Sequence, residues 1–205
     1  MSKSLPLVLL AIVALVVGWS AVAPADRLTW WLEVAPVFAA FAAIAWTWRR
    51  FRFTDLALTL IALHAILLAV GGHYTYALVP LGDWMRDAFG FTRNHYDRIG
   101  HFAQGLVPAI VAREILLRNR VVSSPGWLAF LVVCICLAIS AVYELVEWLT
   151  ALCSGEAATA FLGTQGDVWD TQTDMALAGV GAICALVFLA RWHDRQIAKL
   201  TAQII

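Results

Sequence analysis

The residues of this chain most able to do chemistry are acids and one histidine set within otherwise apolar stretches. Asp97, His101 and Gln104 recur at helical spacing in YDRIGHFAQGLVPAIVAREILLR, so they share one helix face. Ser140, Tyr143, Glu144 and Glu147 do the same in AISAVYELVEW, and Asp167, Asp170 and Asp174 in FLGTQGDVWDTQTDM. Carboxylates grouped with an imidazole suit a hard or borderline divalent ion: oxygen-rich sets favour Mg²⁺ or Mn²⁺, and a histidine admits Zn²⁺. Such an ion could hold a lipid phosphate or activate water. We therefore expect His101, Glu144, Asp170 and Asp174 to be metal ligands. Asp97, Glu147 and Asp167 are the expected catalytic groups, with Glu147 or Asp97 as general base.

Each residue also has a plainer expectation. Glu144, Glu147 and His101 could hydrogen-bond between helices, and Asp97, Asp167 and Asp170 could cap helix starts and complement their dipoles. Arg93 and Arg98 are expected at the surface, His64 as a satisfied core histidine, and Arg113 with Glu114 as an ordinary interface pair. Gly105, Ala178 and Gly181 read as close-packing positions.

The elements that must position these groups follow from composition. Of 205 residues, 62% are hydrophobic and only 14% charged, against about 25% charged in soluble domains, so the chain is suited to lipid. Fourteen basic and fourteen acidic residues balance, which removes the basic excess a nucleic-acid binder needs. Four cysteines make no disulfide framework, because Cys134, Cys136 and Cys184 lie in apolar runs and only Cys153 lies near a loop. A hydrocarbon core about 30 Å thick takes roughly 20 apolar residues to cross as a helix. Six runs qualify: Leu5–Ala23, Trp30–Trp48, Leu56–Val79, Ile99–Leu117, Trp127–Thr150 and Thr171–Ala190. The expected fold is an all-α polytopic bundle of six transmembrane helices in a single integral membrane domain.

Basic residues set its orientation. With the N-terminus inside, Lys3, Arg49, Arg50, Arg52, Arg113, Arg118, Arg120, Arg191, Arg195 and Lys199 fall inside, while Arg27, Arg86, Arg93 and Arg98 fall outside. Both termini are then cytoplasmic. Two longer outer connectors remain, 72–96 and 152–170, and within the first Asp83–Phe89 could lie in the interface with Trp84 and Phe89 toward lipid. At about 1.5 Å per residue, His101, Glu144 and Asp174 all fall in the same outer half of the membrane. Three intramembrane acids at about 2.5–3.5 kcal/mol each, as an upper bound, must be paired, protonated, hydrated or bound to a cation.

The three quoted strings resemble the DUF2238 (YjdF-like) family of bacterial inner-membrane proteins, and the likeness covers most of the chain. The resemblance implies a multi-span protein of the bacterial inner membrane and brings no assigned activity. A more distant similarity is to VanZ-like membrane proteins: Asp97, Arg98, His101 and Phe102 follow their Asp-Lys-x-x-His-Phe pattern, and Asp174 with Gly181 follows their last helix. Glu147 and Ala178 stand where those proteins carry amides. That similarity implies an envelope or lipid-linked role.

The expected function is an outward-facing acidic and histidine pocket that binds a divalent cation and acts on an envelope lipid or lipid-linked phosphate, with membrane lipids as partners and no nucleic acid. The alternatives are a proton- or cation-coupled transporter, for which intramembrane Asp, Glu and His could form a relay, and a structural membrane subunit.

Overall fold

The computed structural model describes residues 4–154, 159–162 and 164–202, so Lys3 and part of the connector 152–170 lie outside the described residues. Every regular element among them is helical, as lipid requires of backbone that must satisfy its own hydrogen bonds. In chain order these are α1 (Leu5–Ser20), α2 (Arg27–Thr47), α3 (Asp55–Tyr74), α4 (Pro80–Phe89), α5 (Tyr96–Arg118), α6 (Pro125–Ser154), the short α7 (Thr159–Leu162), α8 (Asp170–Cys184) and α9 (Ala190–Ala202). A π turn, Ala185–Leu189, carries α8 into α9 without a break.

Each of the six apolar runs coincides with a helix. Four are long and apolar enough to cross a membrane: Arg27–Thr47, Asp55–Tyr74, Pro125–Cys153 and Asp170–Ala202. α1 has 16 residues, about 24 Å at the usual helical rise. α5 has 23 residues but carries Asp97, Arg98, Arg113, Glu114 and Arg118. The third run, expected to reach Val79, stops at Tyr74. Thr75 takes a left-handed φ of 61°, and Tyr76–Leu78 form one 3-10 turn. This break turns Tyr76 inward, where its ring lies against Gly71 and Gly100.

Local chemistry sets the helix starts. Asp26 accepts the Thr29 N–H at the head of α2, and the Thr54 hydroxyl accepts the Ala57 N–H at the head of α3. Pro80 opens α4 and Gly90, with φ 68°, closes it. α4 contains Asp83–Phe89, with Gly82 buried and Trp84 and Phe89 exposed.

Lipid tails are as apolar as leucine, so helices associate in a membrane through close packing and polar contacts. α5 lies at the centre, against α3, α6 and α8. Its crossing with α8 is the closest: a Cβ on Gly105 would overlap the Ala178 carbonyl, and one on Gly181 would overlap the Phe102 carbonyl. The close-packing role expected for Gly105, Ala178 and Gly181 is what the structure shows. Ala57, Ala69, Ala109, Ala182 and Ala185 are fully buried in the same manner.

Polar clusters mark the two ends. At one, the Trp30 indole donates to Ser20 Oγ and the His73 carbonyl accepts the Ala25 N–H. At the other, Glu114 is fully buried and accepts from Thr54 N–H and Oγ1, from Arg118 and from His193 Nε2 at 2.7–3.2 Å. Arg113 pairs there with Asp194 at 2.7 Å. Arg113 and Glu114 therefore do more than the interface pair expected of them: they tie α3, α5 and α9 together. By contrast, α2 and α6 make no extended packing with each other among the described residues.

Candidate metal and lipid site

At the end of α5 opposite Glu114, the structure brings five of the expected residues together. His101 Nε2 lies 3.4 Å from Asp97 Oδ1, 3.8 Å from Glu144 Oε1 and 4.0 Å from Asp174 Oδ2. Donor atoms of Asp97, His101 and Asp174 all fall within 4.8 Å of one another, as do those of His101, Glu144 and Glu147. Helical spacing puts Asp97 and His101 one turn apart on α5 and Glu144 and Glu147 on one face of α6. The close Gly105 and Gly181 crossing brings Asp174 of α8 beside them. Asp97, His101, Glu144 and Asp174 are all buried.

Metal–donor bonds near 2.0–2.2 Å in tetrahedral array place donors about 3.3–3.6 Å apart; the Asp97 contact falls in that range, and the Glu144 and Asp174 contacts lie a few tenths of an ångström beyond it. Two details favour a ligand. Glu144 Oε1 and Asp174 Oδ1 are buried and have no hydrogen-bond partner among the described residues, and orphaned buried acceptors are costly. His101 Nδ1 lies 3.1 Å from Gln104 Oε1, an oxygen that can only accept, so Nδ1–H is the donor. Nε2 then faces the acids as a cationic N–H or as a metal ligand, and outer hydrogen bonds of this kind orient ligating histidines.

Asp167 and Asp170 are placed differently. Both pair with Arg93, and Asp167 also pairs with Arg98 at 2.6 Å. Neither belongs to the two groups of donors around His101. Neither caps α8 through its side chain either: Trp169 is the N-cap residue. The Trp169 N–H, donated at 2.9 Å, and the two guanidiniums hold the Asp167 carboxyl below the usual aspartate range. Asp97 likewise lies within α5, whose N-cap is His95.

Arg93 was expected at the surface and is instead buried at 7% exposure. Its guanidinium also reaches within 3.8 Å of Asp97 Oδ2. The connectors at this end are tied together beside it: Asn94 N–H donates to Gln165 Oε1 and Gln165 Nε2 donates back to the Asn94 carbonyl. Asn94 Nδ2 reaches Val79 O and Asp83. No periodicity marks residues in connectors, so these partners carried no signal in the sequence.

Glu33 of α2 was also missed. It is buried and accepts a 2.8 Å hydrogen bond from the Tyr143 hydroxyl. A lone acid in the run Trp30–Trp48 was the available signal. Glu33, Tyr76, Asp97, His101 and Tyr143 form one end of a cavity of about 850 Å³ between α2, α3, α5 and α6. The rest of its wall is almost wholly apolar and continues to Thr47, Phe53 and Ile115. His64 lines this cavity with its Nε2 unpartnered among the described residues, so it is not the satisfied core histidine expected.

Comparison with known proteins agrees with this membrane architecture. Residues 5–195 match the family model "Predicted membrane protein (DUF2238)". The chain is 52% identical over 185 residues to the inner membrane protein YjdF of Escherichia coli (strain K12), covering 90% of this chain and 88% of that one. No solved structure matches. The chain belongs to the DUF2238 family and is an integral protein of the inner membrane.

Proposed function

We propose that the cluster around His101 binds a divalent cation and that the protein hydrolyses a phosphate carried on a membrane lipid. The observation carrying this reading is that Glu144 Oε1 and Asp174 Oδ1 are buried without a hydrogen-bond partner among the described residues, in a cluster where Glu144 Oε1 and Asp174 Oδ2 lie 3.8 and 4.0 Å from His101 Nε2. Asp97, Glu144 and Asp174 face one imidazole and, at Asp97, an Arg93 guanidinium already shared with Asp167 and Asp170, and a divalent ion matches the remaining excess of carboxylates. The cation would polarise a phosphoryl oxygen and lower the pKa of water.

The chain's own residues take the remaining roles. His101 with Asp97 and Asp174 would hold the ion, with Glu144 the nearest further carboxylate, and Gln104 fixes the His101 tautomer. Glu147 takes a proton from the attacking water as its oxygen bonds to phosphorus, and the bond from phosphorus to the lipid oxygen breaks. Arg93, held beside the cluster by Asp97, Asp167 and Asp170, and Arg98, paired with Asp167, would supply positive charge for the phosphate. Magnesium, manganese and zinc all suit a site of three carboxylates and one imidazole. The apolar wall beyond His101 favours a hydrocarbon chain over a hydrated ion moving through the bundle.

Metal content of detergent-purified protein, measured by inductively coupled plasma mass spectrometry after titration with each ion, tests the reading. Wild type should retain about one ion per chain. Asp174→Asn and His101→Ala should each weaken retention by ~10–100-fold or more, at least the loss seen on removing an outer-shell partner. Wild-type protein that stays metal-free after titration overturns the proposal.

A further inference from the structure

The cavity beside the acidic cluster is elongated, and its length bears on the lipid it would take. On α2 it runs from Glu33 to Thr47, fourteen residues or ~21 Å along the helix. On α5 it runs from His101, where the headgroup would lie, to Ile115, fourteen residues or about 21 Å. One leaflet offers a chain only about 15 Å of hydrocarbon, half of a core ~30 Å thick. From His101 the cavity thus continues past the depth at which a chain confined to one leaflet ends.

The way in lies on the membrane side. α2 and α6 face each other across the cavity without extended packing, and the Glu33–Tyr143 hydrogen bond joins them at the acidic end. Below that bond the facing residues, Ala40 and Ala43 on α2 and Ala138 and Val142 on α6, are small or medium in size and apolar. A chain already in the bilayer can slide sideways between the two helices without its tail crossing water.

From this length, apolar lining and lateral gap we infer that the substrate is a phosphate carried on a single hydrocarbon chain long enough to pass the bilayer midplane, of the polyprenyl phosphate kind. Its phosphate lies at His101 and its tail in the α2–α6 crevice. The inference rests on the proposed phosphate site and adds the tail that the site selects.

Photolabelling reads binding without turnover, so it separates tail from chemistry. The full chain in phosphatidylcholine nanodiscs is labelled with diazirine-bearing undecaprenyl phosphate, geranyl phosphate or phosphatidic acid, with each unlabelled lipid as competitor. The long prenyl phosphate should label α2 and α6 and outcompete the other two. Ala43→Trp, deep in the crevice, should weaken its labelling by about tenfold, as loss of roughly two buried methylenes would, and spare geranyl phosphate. Ala42→Trp, at an exposed neighbouring position that does not line the cavity, should change neither and controls for folding. Equal labelling by long and short prenyl phosphates, or phosphatidic acid as the best competitor, overturns the long-chain inference and leaves the phosphate site standing. Labelling by none of the three overturns both.

Discussion

His101 meets a neutral amide at one ring nitrogen and three carboxylates at the other, and that asymmetry distinguishes it from the other histidines of the bundle. Asp167 shows the opposite arrangement, a partly exposed acid enclosed by donors. Because its folded pKa is depressed, the contribution of Asp167 is present above the ordinary aspartate value, about 3.9, and is lost as pH falls through the folded value. The outer loops should therefore loosen from Arg93 and Arg98 under acid. Limited proteolysis between pH 7 and pH 3 should show cleavage near residues 164–169 rising at the acid end, and Asp167→Asn should give raised cleavage already at pH 7. A cleavage rate that ignores pH in wild type would remove this role. The sequence exposed those residues whose neighbours lie on a periodic face: Asp97, Glu144, Glu147 and Asp174 could be aligned with His101 by spacing and depth. It concealed Arg93, which sits in a connector, and Glu33, whose helix carries no second acid or histidine to make a titratable stripe. Asp167 and Asp170 belonged to a legible stripe, yet their place depends on Arg93, and spacing along α8 says nothing of that arginine.

At the scale of elements, the site depends on how closely α5 and α8 approach. A side chain on Gly105 meets backbone, the Ala178 carbonyl, and backbone cannot rotate out of the way. Gly105→Ala should destabilise the protein by ~1–3 kcal/mol, the usual range for overpacking, and should also weaken cation retention because it moves Asp174 away from His101. Gly126→Ala, at a position with open space around it, should leave the unfolding midpoint unchanged or slightly raised. Thermal unfolding in detergent compares the two, and equal midpoints would mean that the crossing tolerates a shift. Two prolines belong to the same scale. Pro36 of α2 and Pro108 of α5 both lie inside helices and both line the cavity, where the backbone that a proline leaves unpaired faces a cavity wall and not packed lipid. Helix existence and helix pairing differ in legibility for a physical reason. Hydropathy and length place α2, α3, α6 and α8 because each residue's transfer to lipid is a local property. Whether α2 packs on α6 depends on what fills the space between them, and apolar stretches such as Phe38–Trp46 and Leu128–Ile139 read alike whether they face a neighbour, lipid or a crevice.

For the whole molecule, the zero net charge conceals a separation along the membrane normal, and the ion pairs sharpen it. At the acidic-cluster end, Arg93 and Arg98 are paired with Asp97, Asp167 and Asp170, and Arg86 is paired with Asp83 and Asp87. At the opposite end Arg49, Arg50, Arg120, Arg191 and Arg195 are exposed. Orientation follows the distribution of Lys and Arg, with acidic residues contributing little, so the orientation with the His101 cluster facing outward rests on the count of ten basic residues against four. Cysteine accessibility decides it. In a Cys153→Ser background, which removes the exposed native thiol, Asp87→Cys on α4 should react with a membrane-impermeant maleimide in intact spheroplasts. Ser123→Cys, between α5 and α6, should react only after permeabilisation. The reverse pattern would place the cluster on the cytoplasmic face, and any lipid phosphate reaching His101 would then come from the inner leaflet.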